Sequence, residues 1–154
     1  MRSIDELVGA HPFAAGLNDE HLALVAGCAH NVSLDAGAML CVEGASADTF
    51  YLLRRGQVSI EVHQAGRGPI VIETVGPGDA VGWSWLVAPY RWTFDARALQ
   101  PVGALAIDGA CLRAKSLEDS ALGFALLSRV TQELLERLQA TRVRLLDLYG
   151  GARG

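Results

Sequence analysis

A chain of 154 residues with 51% apolar side chains is long enough for one domain with its own core and too apolar for a disordered tail. Its net charge is −4, and twelve of its thirteen basic residues are arginine. That balance argues against stand-alone nucleic-acid binding, which rests on phosphate contacts. No apolar run reaches the ~18 residues of a membrane span. The N-terminus, Met1-Arg2-Ser3-Ile4-Asp5-Glu6-Leu7, also lacks the apolar centre of a signal peptide. A cytoplasmic protein is expected, with no membrane contact and no direct DNA binding.

From the N-terminus, residues 1–30 read as helical. Asn18 is the expected N-cap, followed by Asp19 and Glu20 in the first turn. Leu22, Leu24, Val25 and Cys28 give the apolar face. Residues 31–110 then read as short extended runs broken by turns. Val32 and Leu34 precede Asp35-Ala36-Gly37, Met39 to Val42 precede Glu43-Gly44, and Phe50 to Leu53 precede Arg55-Gly56. Val58, Ile60 and Val62 alternate with Ser59, Glu61 and His63, the period of a half-buried strand. Pro69 to Val75 has the texture of a buried strand, and Thr93 to Ile107 that of two more. Strand-length runs between glycine turns point to a sandwich or barrel.

Residues 116–149 return to helix, with Ser116 as cap. Leu127, Thr131, Leu134, Leu138, Thr141, Leu145 and Leu148 alternate spacings of four and three, a heptad seam suited to a second helix. Leu122, Leu126, Val130 and Leu135 form a second apolar edge that can pack on the strands. A homodimer through the seam is the expectation; the alternative is one broad face packed within the chain. Residues 150–154, Gly-Gly-Ala-Arg-Gly, read as a flexible tail.

Little in the chain suggests catalysis. Cys28, Cys41 and Cys111 are widely spaced without a CxxC pair, which suits free thiols in a reducing compartment. His11, His21, His30 and His63 are scattered, and no nucleophile elbow, Walker loop or HExxH motif occurs. Neither an enzyme nor a metal site is expected.

The most informative stretch is 76–98, GPGDAVGWSWLVAPYRWTFDARA. Five of the ten aromatic residues lie between Trp83 and Phe94, including all three tryptophans. Glycine turns precede them, and Arg91, Asp95 and Arg97 are interleaved. N–H groups after Gly82 can receive an anion. The aromatic cluster fits either a ligand pocket, a partner surface or a core beneath a loop.

Two motifs give the chain a family likeness. Glu43-Gly44, Asp48 to Leu53 and Gly56-Gln57-Val58-Ser59-Ile60 resemble the opening strands of the cyclic nucleotide-binding domain, as in catabolite activator and its relatives. Gly76-Pro77-Gly78-Asp79-Ala80-Val81-Gly82 resembles the start of that family's phosphate-binding cassette, and Arg97-Ala98 its end. The resemblance covers nearly the whole chain. It implies an α+β fold of a single domain over residues 1–150: a β jelly roll with N-terminal helices and a long C-terminal helix.

The resemblance also marks departures. Where the family places a glutamate on the ribose 2′-hydroxyl, this chain has Trp83. Where it places an arginine on the cyclic phosphate, this chain has Trp92, followed by Thr93 and Phe94. An indole offers one donor and no charge. Losing a bidentate, charge-assisted contact costs a few kcal/mol, roughly a hundredfold in affinity. Regulators of the family carry a helix-turn-helix beyond the long helix, for which this sequence has no segment. Trp-Ser-Trp-Leu followed by Pro-Tyr-Arg-Trp is similar to stand-alone family members that accompany redox complexes, including NAD-reducing hydrogenases. The expected function is a non-catalytic regulatory or accessory module that dimerises and acts through a protein partner. The alternative is a sensor for a cyclic nucleotide or other phosphate-bearing nucleotide, held by Gly82, Trp83, Ser84, Trp85, Arg91, Trp92, Thr93 and Arg97.

Overall fold

The structure, a computed structural model, describes residues 2–151. Helix α1 (Ile4–Ala10) begins where Ser3 accepts from the Glu6 amide, and α2 (Asp19–Ala26) where Asn18 accepts from the His21 amide at 2.8 Å. Between them Pro12–Ala14 makes one 3-10 turn that buries Phe13.

Eight strands follow: β1 (Ala29–Leu34), β2 (Met39–Cys41), β3 (Thr49–Arg55), β4 (Val58–Gln64), β5 (Gly68–Val75), β6 (Ala80–Val81), β7 (Asp95–Ala98) and β8 (Val102–Asp108). They form two antiparallel sheets, ordered β1-β8-β3-β6 and β2-β7-β4-β5. This is the jelly-roll sandwich expected from the run of short strands. Its core includes Phe50, Leu52, Val58, Ala96, Leu105 and Ile107, each fully buried. Burial of such side chains, at about 1.5–3 kcal/mol each, is the main favourable contribution.

Two strands depart from their sequence texture. The run from Pro69 to Val75 is not a buried strand: β5 pairs only with β4, and Ile70, Val71 and Ile72 are exposed. An apolar run alone does not distinguish a central strand from an edge. In β4 the polar half of the alternation is solvated only at His63. Ser59 and Glu61 are buried; they stand opposite Arg97 and Asp95 of β7, and Glu61 pairs with the Arg97 side chain. Ser59 donates to the Glu61 carboxylate, Arg97 Nε lies 3.3 Å from Glu61, and His63 Nδ1 lies 3.1 Å from Asp95.

The cysteines are not all free thiols. Cys28 and Cys111 form a disulfide across 83 residues of sequence, and only Cys41 is free and buried. Spacing hid this pair, because the fold brings the end of α2 against the helix after β8. Nearby, Lys115 Nζ donates to the Leu24 carbonyl at 3.0 Å and His21 lies 3.7 Å from Asp119.

The C-terminal helical region starts earlier than Ser116. Asp108 caps α3 (Gly109–Glu118) by accepting from the Cys111 amide. The chain turns at Asp119, which accepts from the Leu122 amide, and α4 (Ser120–Gly151) begins. Its 32 residues span about 48 Å at 1.5 Å each. Gly150 and Gly151 belong to this helix rather than to a tail; the rest of the expected tail, residues 152–154, lies outside the described residues. Leu122, Leu126 and Val130 pack on the body as expected, but Leu135 does not; it is 57% exposed. From Arg129 onward, arginines also hold the helix. Arg129 donates to the Pro12 and Phe13 carbonyls, Arg137 to Ala80 and Arg144 to Ile72. The spacings of eight and seven put these three on one side of the helix.

Candidate functional site

The cassette is built on β3 and β6. Tyr51 and Leu52 of β3 pair with Val81 and Ala80, and the Gly76–Asp79 turn docks on β3 through reciprocal bonds between Leu53 and the 78–79 backbone. The chain leaves β6 at Gly82, whose φ of +98° is open to glycine and strained for other residues. It returns at Tyr90 to Trp92, where it meets the first motif: Ala47 N bonds Tyr90 O, Trp92 N bonds Ala45 O, and Gly44 N bonds Trp92 O. The two sequence motifs are thus one structural unit.

The tryptophans occupy three environments. Trp92 is 5% exposed, and its six-membered ring lies so close to Gly82 that a Cβ there would overlap it. Trp92 is therefore core, one of the three readings that the cluster allowed. Trp85 is fully buried and stacks on Phe50 with centroids 4.6 Å apart, its indole nitrogen without a partner. Trp83 is half-buried between Phe13, 6.5 Å away, and the Arg137 guanidinium, 5.2 Å from its ring. Trp85 and Trp92 are therefore core and Trp83 is the one of the three left partly exposed; the backbone of Trp92 is tied to residues 44–45.

Of the other expected site residues, Ser84, Arg91 and Thr93 line a cleft of about 280 Å³ together with Trp83 and Pro89. Arg91 is already engaged, donating to the Gly44 carbonyl at 2.9 Å. Arg97 stands apart, bound to Glu61 on the sheet face that carries Ser59 and His63. The sequence reading missed Arg137, which lies 3.6 Å from Glu73, donates to Ala80 O and covers Trp83. Only its spacing from Arg129 and Arg144 hinted at it. Burial pushes the carboxyl of Glu133 on the same helix above its usual range, against the pull of Arg137 and Arg129. The Cys41 thiol is raised far out of the physiological range by burial and by Asp95, so it stays protonated and inert.

The sequence profile of the cyclic nucleotide-binding domain matches residues 31–119, more than half of the chain. The chain belongs to the cyclic nucleotide-binding domain family. Among solved structures it is similar to a cyclic nucleotide-binding-type protein from Geobacter metallireducens, at 34% identity and TM-score 0.79, over 90% of this chain and 99% of that one. It is also similar to the N-terminal domain of a transcriptional regulator from Streptomyces coelicolor, at 26% identity and TM-score 0.68, over 88% and 94% of the two chains. The sensor domain of the regulator DNR from Pseudomonas aeruginosa shares the fold at 21% identity and TM-score 0.69, over 88% and 91%.

As a family member the chain has a cassette whose glycine faces its own indole. The family's domains are regulatory and bind cyclic nucleotides. No helix among the described residues is long and apolar enough to cross a membrane. The heptad seam is solvent-facing along α4. Leu127, Leu134, Leu138 and Leu145 are each 44–52% exposed, and Thr131 and Thr141 are exposed with them, Thr141 donating back to the Arg137 carbonyl.

Proposed function

We propose that this domain is a non-catalytic regulatory or accessory module, that it dimerises through α4, and that it acts through a protein partner rather than by ordinary cyclic nucleotide capture. The observation that carries this reading is Trp92 packed on Gly82. The glycine that opens the phosphate-binding turn is packed against a neutral ring, and Trp83, in the place of the ribose carboxylate, is held by Phe13 and Arg137. Output by association is supported by the exposed leucines of α4, a longer apolar stripe than monomers usually leave in water. Trp-Ser-Trp-Leu makes a redox complex of the hydrogenase type the first partner class to try.

The test is calorimetry with cyclic AMP and cyclic GMP beside sedimentation. Dissociation constants no tighter than about 0.1 mM are expected, since each tenfold loss needs only ~1.4 kcal/mol. A dimer is expected at about 50 µM protein. Micromolar nucleotide binding would reverse the reading in favour of a sensor, with Trp92 displaced and Arg91 swung from Gly44 onto the phosphate.

A further inference from the structure

A second cleft, of about 390 Å³, opens on the far side of the tryptophan loop. One wall is the cassette, with Leu86, Val87 and Tyr90; the other is the α3–α4 corner, with Arg113, Leu117 and Leu127. At the base α4 crosses α3 closely: a Cβ on Gly123 would come within 3.0 Å of the Ser116 carbonyl. The volume lies in the range of small-molecule sites, about 300–1,000 Å³, and the mix of aliphatic walls with one strong polar group is typical of them.

That polar group is Arg113. One guanidinium nitrogen donates to the Trp85 carbonyl, and the plane lies 4.1 Å from the centroid of the Tyr90 ring. Tyr90 is held at φ +57°, the one non-glycine residue in the left-handed region among those described. Such backbone costs of order 1–3 kcal/mol and persists where the surroundings impose it. No carboxylate of the described residues pairs with Arg113, although a guanidinium stays charged at any physiological pH. It is the only ionisable side chain besides Tyr90 on the cleft wall, so the cleft presents aliphatic surface with an unmatched positive charge.

We propose that this cleft binds a small monocarboxylate with an apolar tail. Its carboxylate takes the free N–H groups of Arg113, and its tail lies between Val87 and Leu127. Charge complementarity selects the headgroup, because an amide or amine cannot match the fork of donors. The aliphatic walls select the tail over a bare inorganic anion. The site uses the outer side of the cassette loop and not Gly82, Ser84 or Arg91, and Leu127 is also the first residue of the α4 seam. Occupancy therefore touches the element through which the domain is proposed to associate.

The experiment uses the intact chain with octanoate, octanamide and octylamine as probes, followed by backbone amide NMR. Octanoate should shift the amides of Val87, Gly123 and Leu127 saturably, and octanamide and octylamine should bind at least about tenfold more weakly. Arg113→Gln should erase the preference for the acid. Because Arg113 also holds Trp85, Val87→Glu gives an independent check: Val87 is 65% exposed, so the fold should melt unchanged while octanoate weakens about tenfold. Equal affinity for acid and amide, shifts confined to other parts of the molecule, or full binding by Val87→Glu would each overturn the proposal. Nucleotide titration is read on the Gly82 and Ser84 amides, which do not line this cleft, so this outcome is independent of the function proposed above.

Discussion

The ring of Trp92 lies over the bare Cα of Gly82 so closely that no side chain fits between them. Gly82 therefore has two reasons to be glycine, its φ of +98° and the indole above it. Gly82→Ala should destabilise the domain by about 1–3 kcal/mol or more, since alanine is strained there and the indole must move. Trp92→Ala should cost about 3–5 kcal/mol by leaving a cavity. The double variant should lose less than the sum, because the clash vanishes with the ring. Chemical denaturation of the four proteins measures the coupling. Strict additivity would mean the two residues do not meet.

Trp85 and Trp83 separate by burial. Trp85→Ala removes a fully buried ring stacked on Phe50 and should cost about 3–5 kcal/mol. Trp83→Ala should cost clearly less, since its ring is only half-buried and one of its contacts is the partly exposed guanidinium of Arg137. Equal losses of melting temperature for the three tryptophans would remove Trp83 as a recognition residue.

What the sequence revealed follows the range of each interaction. Asn18 as a cap and the order of strands depend on neighbours within a few residues, and both were legible. The burial of Trp92 depends on Gly82 ten positions earlier and on hydrogen bonds to Gly44 and Ala45, which no period along the chain encodes. The Cys28–Cys111 bond and the Arg97–Glu61 pair are likewise made by folding, not by spacing. Leu135 stands nine residues from Leu126, about 180° around the helix, so it faces away from the body, and the last buried apolar side chain of α4 among the described residues is Val130. From there, arginines reach backbone carbonyls in place of apolar packing.

The exposed seam makes its own test clean. Leu134 and Leu138 are 44% and 45% exposed in the single chain, so aspartate at both should leave the monomer folded. The expected result for Leu134→Asp with Leu138→Asp is a monomer in sedimentation with the helical circular dichroism and melting of a folded domain. Two leucines lost from an interface at about 1.5–3 kcal/mol each, doubled by symmetry, suffice to dissociate it. An unfolded double variant would instead place the seam against its own chain.

The disulfide closes a loop of 83 residues. In the chain-entropy description, cross-linking a loop of that size stabilises by about 4–5 kcal/mol at most. Cys111→Ser, or reduction, should lower the unfolding free energy by a few kcal/mol, read as a lower denaturation midpoint, without changing the fold. Under denaturing, non-reducing conditions one thiol per chain, Cys41, should react. Three reactive thiols and no effect of reductant would contradict the bond.

His11 supplies a pH dependence. Its ring is buried, with Nε2 3.0 Å from the Leu53 carbonyl and Nδ1 accepting from the Phe13 amide at 3.1 Å. That arrangement fixes the neutral tautomer, Nε2–H donating and Nδ1 accepting. Burial holds the pKa below the ordinary histidine value, outweighing the Leu53 bond and the Asp79 charge, which pull it up. The sign follows from linkage. As pH falls below about 6.5 the unfolded chain takes up a proton at His11 that the folded chain resists, so stability is full above that pH and declines below it. Urea denaturation of the wild type should therefore lose stability between about pH 7 and about pH 5.5, the upper part of that window lying above ordinary carboxylate titration. In His11→Asn the decline should be shallower, and the difference between the two curves isolates this ring from His21, His30 and His63. Parallel curves would mean that His11 titrates freely and that its two hydrogen bonds do not hold the 3-10 turn to β3.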